Sequence, residues 1–161
     1  MADADQILRS AGSVLLVDWP SRDVPETLVR AGYQVFAKGG PGPDDYTALE
    51  LRGEEVLARP VGRPPEHADL VYSYRPIGEL PDVIAIARQV GATAVWHQSG
   101  KDSAGADDPR GFCLPWVESQ EARAIVESAD LTYVEGPYIA DAVRRLAGAG
   151  QADDGGPWDQ A

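Results

Sequence analysis

The chain has 161 residues, a formal net charge of −12 and one cysteine, Cys113. Such a charge supplies no basic footprint for nucleic acid and is repelled by acidic membranes. No apolar run is long enough to span a bilayer, and a single cysteine forms no internal disulfide. The size suits one domain with a hydrophobic core, over residues 1–148, followed by a flexible acidic tail at 149–161. The acidic opening MADADQILRS lacks the basic-then-apolar order of a signal peptide, so a reducing cytoplasm is expected.

In chain order, Ser13–Val17 (SVLLV) is a short, branched apolar run that predicts a buried parallel strand. A helix follows, with Asp23 as its cap, Glu26 three residues later as in a capping box, Pro25 in the first turn and Gly32 as its stop. Tyr33–Ala37 is the next strand and KGGPGPDD a loop. Leu49 to Val61 alternates around Gly53 and predicts a small hairpin. Asp69–Tyr74 reads as a strand, and a helix from Glu79 to Val90 turns Val83, Ile86, Ala87 and Val90 to one face.

Thr93–Gln98 is a strand, with Trp96 assigned to the core. SGKDSAGADDPRGFCLP is a polar loop long enough to suggest function or mobility. Glu118 to Ala129 is a helix, LTYVE a strand, and Pro137 opens the last helix from a first-turn position. Alternation of strand and helix predicts an α/β domain of three layers, with a mostly parallel sheet of five or more strands and a small hairpin insertion.

Ligands of such sheets sit beyond the carboxyl ends of the strands, where strand order reverses. The reversal is expected between Ser13–Val17 and Asp69–Tyr74, which makes Asp18, Trp19, Pro20, Ser21, Arg22, Tyr74, Arg75 and Pro76 site candidates. The adjacent strand ends add Lys38, Gly39 and Gly40 on one side and His97, Gln98, Ser99 and Gly100 on the other. Arg22 and Ser21 can donate to a phosphate. Pro25 removes an amide donor, while Asp18 and Asp23 repel an anion.

Lys38 suits a ribose that carries an extra phosphate, as in CoA or NADP. Arg75 can grip a pyrophosphate or stack on adenine. Gln98 and Ser99 can hydrogen-bond an amide or hydroxyl, and Gly100 permits a sharp turn. His97 lacks an identifiable partner acid or nucleophile and reads as structural. His67, His97 and Cys113 have no zinc-like spacing, and no catalytic or metal-ligating residue is assigned.

The succession SVLLVDWPSRDVPETLVRAGYQVFA, ADLVYSYRP, GATAVWHQSG and EARAIVESADLTYVEGPYIADAVRRL resembles the CoA-binding-domain family. These are small stand-alone Rossmann-like proteins related to the first domain of the succinyl-CoA synthetase alpha subunit. The resemblance runs from about Ile7 to Leu146 and is most specific at AVWHQSG. It implies CoA or acyl-CoA as ligand, with Ser21, Arg22, Arg75, Gln98 and Gly100 bordering the site. In this chain the first loop is shorter than the family pattern and has no glycine.

The expected function is therefore a non-catalytic CoA- or nucleotide-binding protein. The alternatives are an interaction or scaffold protein with a decayed nucleotide site and, remotely, an NADP-dependent oxidoreductase. A homodimer is a possible assembly.

Overall fold

A computed structural model describes residues 3–40 and 42–148. The elements run α1 (Ala4–Ser10), β1 (Ser13–Val17), α2 (Asp23–Arg30), β2 (Gln34–Lys38), β3 (Tyr46–Arg52), β4 (Glu55–Pro60) and β5 (Leu70–Ser73). A 3₁₀ turn at Ile77–Glu79 leads into α3 (Leu80–Gln89), followed by β6 (Ala94–His97), α4 (Trp116–Glu127), β7 (Thr132–Val134) and α5 (139–148).

One sheet holds all seven strands in the order β4-β3-β2-β1-β5-β6-β7. The β1–β2, β1–β5, β5–β6 and β6–β7 pairs are parallel, and β3 and β4 add antiparallel at one edge. From β1 the chain first moves outward to β2 and later returns on the other side of β1 as β5. The reversal thus lies between β1 and β5, where the sequence places it.

The apolar strands serve both faces. Val14, Leu16, Leu70, Tyr72 and Trp96 pack with α1, α2 and α5. Leu15, Val71, Val95 and Tyr133 pack with Val83 and Ala87 of α3 and Ala122 and Val126 of α4. Both faces of the central strands are thereby removed from water, as their near-continuous apolar runs require. The result is the expected three-layer Rossmann-like α/β fold. Gly53, at φ 65°, begins the two-residue turn that closes the β3–β4 hairpin.

Three local expectations are corrected. Asp23 does not cap α2: Arg22 holds the cap position and no side chain bonds the first amides. The Asp23 carboxylate instead accepts from Tyr138 Oη (2.8 Å), Thr27 Oγ1 (3.1 Å) and Arg144 Nη1 (2.8 Å). A guanidinium and a phenol outcompete backbone amides for it, and Glu26 pairs with Arg22 at 2.8 Å rather than closing a capping box.

Pro137 precedes α5, which starts at residue 139. Its carbonyl is held by Trp96 Nε1 (3.1 Å) and Gln98 Nε2 (2.8 Å). Helix α1 went unforeseen; Asp3 caps it through the Asp5 amide, 3.0 Å away. The tail at 149–161 lies outside the described residues.

Candidate functional site at the carboxyl ends of the strands

The parallel strands end on one side of the molecule and the chain opens there into two clefts. The first, about 790 Å³, lies beyond β1 and β2 and is lined by Asp18, Trp19, Lys38, Gly39, Gly40 and Arg75, with Glu79 and the first turns of α3 behind. The second, about 690 Å³, lies beyond β5 and β6. Tyr74, Arg75, Pro76, His97 and Ser99 line it, and Lys101–Gly105, Cys113–Pro115 and Glu118 close its outer wall. Among the described residues Arg75 alone lines both.

Arg75 stands just past β5 and is fixed from two directions. Its Nη1 donates to Asp18 Oδ2 at 3.1 Å, and its Nε and Nη2 donate to the Glu79 carboxylate at 3.1 and 2.7 Å. The Glu79 and then the Asp18 carboxylate hold its pKa above the ordinary arginine value, and Arg75 in turn lowers that of Glu79. A guanidinium has five N–H donors. Three are taken by these carboxylates, so two remain for a ligand.

Asp18 reaches this position through a backbone turn at φ 75°, stabilised by its own Oδ1 accepting from the Trp19 amide at 2.9 Å. Lys38 donates to the Gly40 and Gly42 carbonyls at 2.7 and 2.9 Å and rides 5.6 Å from the centre of the Tyr46 ring. One of its three ammonium hydrogens remains unassigned.

His97 is buried. Its Nε2 lies 3.0 Å from the Arg75 carbonyl, which can only accept, so that nitrogen carries the proton. Nδ1 faces Tyr133 Oη at a long 3.4 Å, while that hydroxyl donates to Glu135 at 2.9 Å. Burial first of all lowers the His97 pKa. Nε2 ties the buried ring to the end of β5, while Nδ1 receives no proton from Tyr133, whose hydroxyl hydrogen is committed to Glu135.

The remaining sequence candidates sit elsewhere. Gln98 is buried, donating to Pro137 and accepting from the Ile139 amide at 3.3 Å, which secures the entry to α5. Gly100, at φ 71°, lets the chain pass against Tyr74, whose ring and hydroxyl a β-carbon would strike. Pro20, Ser21 and Arg22 line neither cleft, and Arg22 is engaged with Glu26.

Sequence reasoning missed Glu79 as the second anchor of Arg75. An acid four residues after the arginine, ahead of a helix, was the available signal. It also did not foresee that the polar loop at 99–115 forms a wall. That loop is cross-bonded: Gly100 and Cys113 amides donate to Gly111 and Lys101 carbonyls at 3.0 Å each. The Asp102 carboxylate caps an inner turn through the Ala104 and Ala106 amides. Among the described residues no group of His, Cys, Asp and Glu could hold a metal ion, and no helix is long and apolar enough to cross a membrane.

The family description "CoA binding domain" matches residues 11–140. The chain belongs to this CoA-binding family. The match spans β1 to the start of α5 and so contains every residue of both clefts. Prb, the PH1109 protein redesigned for binding, is similar in structure, with TM-score 0.58 and 20% identity over 91% of each chain. Cell-free ID.343 from Thermus thermophilus is similar with TM-score 0.53 and 22% identity, over 88% of this chain and 98% of that one. At such identities the two attest the shared fold. No curated protein matches the sequence.

Proposed function

We propose that this CoA-binding-domain protein is a non-catalytic binder of CoA or a related nucleotide, held across the carboxyl ends of β1, β2 and β5. Arg75 is the observation that carries the reading. It stands at the strand-order reversal, where open α/β sheets take their ligands, and it is common to the two clefts. The donor set fits a nucleotide that bears phosphates: two N–H groups of Arg75 and one of Lys38 remain for oxygen acceptors. An elongated ligand such as CoA would put its phosphorylated nucleoside beside Lys38 and its pantetheine arm past Tyr74.

The phosphate grip differs from a glycine-rich one. Pro25 removes an amide from the start of α2, and Asp23 is turned to Arg144, so the charged contacts of Arg75 and Lys38 carry the anion instead. The non-catalytic part of the reading is supported by His97, whose ring is buried and whose Nε2 is held by the Arg75 carbonyl.

A second reading, a scaffold with a decayed site, draws on Asp18, Glu79 and Asp82, three carboxylates around the first cleft. Thermal shift separates the two. A ligand at about one hundred times its dissociation constant adds about 2.7 kcal/mol. CoA and acetyl-CoA are expected to raise the melting temperature more than NAD or NADP. No shift with any of the four at millimolar concentration leaves the scaffold.

A further inference from the structure

The two edges of the sheet differ. β7 has three residues, while β4 presents six, Glu55–Pro60, all but one of them exposed. β4 carries Leu57, exposed to 47%, between Glu55 and Arg59, and Pro60 closes its far end.

The register states which backbone groups are unpaired. The Val61 amide donates to the Tyr46 carbonyl at 2.9 Å, and β4 continues from there as Ala48↔Arg59, Glu50↔Leu57 and Arg52↔Glu55. Antiparallel pairs alternate, so Glu55, Leu57 and Arg59 turn their amides and carbonyls to β3. Val56 and Ala58 turn theirs outward.

We propose that β4 is a self-complementary interface and that a second copy of this chain adds to it, antiparallel, about a two-fold axis through Leu57. In this register Val56 of one copy faces Ala58 of the other, twice, which satisfies the outward amides and carbonyls of both residues. Leu57 meets its own copy at a non-hydrogen-bonded position, where side chains approach closest. Glu55 of each copy stands opposite Arg59 of the other, giving two opposite-charge cross-strand pairs on one face.

Neighbouring registers lose this match. A shift toward the turn sets Leu57 opposite Glu55, and a shift the other way puts Val56 opposite Pro60, which has no amide to donate. Arg59 also pairs with Glu50 at 2.9 Å within its own chain, but it remains 58% exposed and open to a second carboxylate. The contact is isologous and closes at two copies, joining both sheets into one.

Sedimentation of the full chain from micromolar to millimolar concentration tests the proposal, with thermal melting to confirm that each variant folds. The wild type is expected to approach twice the chain mass of 17.2 kDa. Glu55→Arg sets arginines against Arg59, and Arg59→Glu sets glutamates against Glu55. Each variant alone is expected to sediment as a monomer, and their equimolar mixture as a heterodimer in which both cross-strand pairs are restored. Leu57→Lys, with two ammonium groups at the axis, is expected to remain monomeric in any mixture. A monomeric wild type at millimolar concentration would overturn the proposal. So would a dimer that survives Leu57→Lys, or a mixture of the charge variants that stays monomeric.

Discussion

Arg75 Nη1 lies 3.1 Å from Asp18 Oδ2, so the end of β5 is tied to the end of β1 across the strand-order reversal. The bond occupies the guanidinium where a ligand phosphate is expected, and the phosphate has to compete with a carboxylate. Both side chains are more than two-fifths exposed, a setting in which an ion pair stabilises the fold by at most about 1 kcal/mol.

Asp18→Asn therefore isolates the competition. Asparagine tolerates the positive φ at this position, and its side-chain oxygen can still accept from the Trp19 amide. CoA is expected to bind about fivefold more tightly, corresponding to about 1 kcal/mol, with the melting temperature almost unchanged. Isothermal titration of the variant against wild type reads the difference. Weaker binding would mean that Asp18 assists the ligand.

The Asp23 cluster gives a pH dependence. Arg144, followed by Tyr138 and Thr27, holds the Asp23 pKa at about 2, below its usual 3.8. A carboxylate whose pKa is lowered by folding stabilises fully above the unfolded value and loses that contribution as pH falls through the folded one. The stability of the wild type should accordingly fall between about pH 4 and pH 2. Asp23→Asn should be less stable at neutral pH and lose less over that interval. Tyr138, pushed up to about 12 chiefly by burial and then by its bond to Asp23, should show no phenolate absorbance at pH 10. Urea denaturation across the acid range and spectrophotometric titration of tyrosine check the two parts.

Gln98 tests the second cleft's foundation. Its amide holds the Pro137 carbonyl and the Ile139 amide in a buried setting. Gln98→Leu leaves the Ile139 amide without that partner, which costs about 1–3 kcal/mol. The expected outcome is a lower urea midpoint with an unchanged slope. CoA affinity measured below the new transition should change little, since Gln98 lines neither cleft. A large loss of affinity with intact stability would instead make Gln98 a ligand contact.

The sheet was legible because its strands are dense apolar runs at regular spacing: SVLLV, LVYS and AVWH could be buried only as parallel strands between helices. The reversal followed from their order, and with it the positions of Asp18, Lys38, Arg75 and His97. What the sequence could not show was competition among polar groups. Asp23 has the spacing of a cap, yet Arg144, 121 residues away in sequence, claims it. Gln98 looks like a ligand contact by its place after a strand, but the residues that bury it arrive with α5. Helix α1 was missed because seven residues of mostly polar composition show too little periodicity. The wall formed by the 99–115 loop depends on glycine contacts, Gly100 against Tyr74 and Gly111 against Lys101, that no local pattern announces.

The most direct measurement is isothermal titration of CoA into wild type and Arg75→Gln at low salt. The account predicts saturable binding by the wild type and a loss of about thirtyfold in the variant, equivalent to about 2 kcal/mol for charge-assisted hydrogen bonds, with both proteins melting at nearly the same temperature. Equal affinity in the two, or no heat of binding in either, would contradict it.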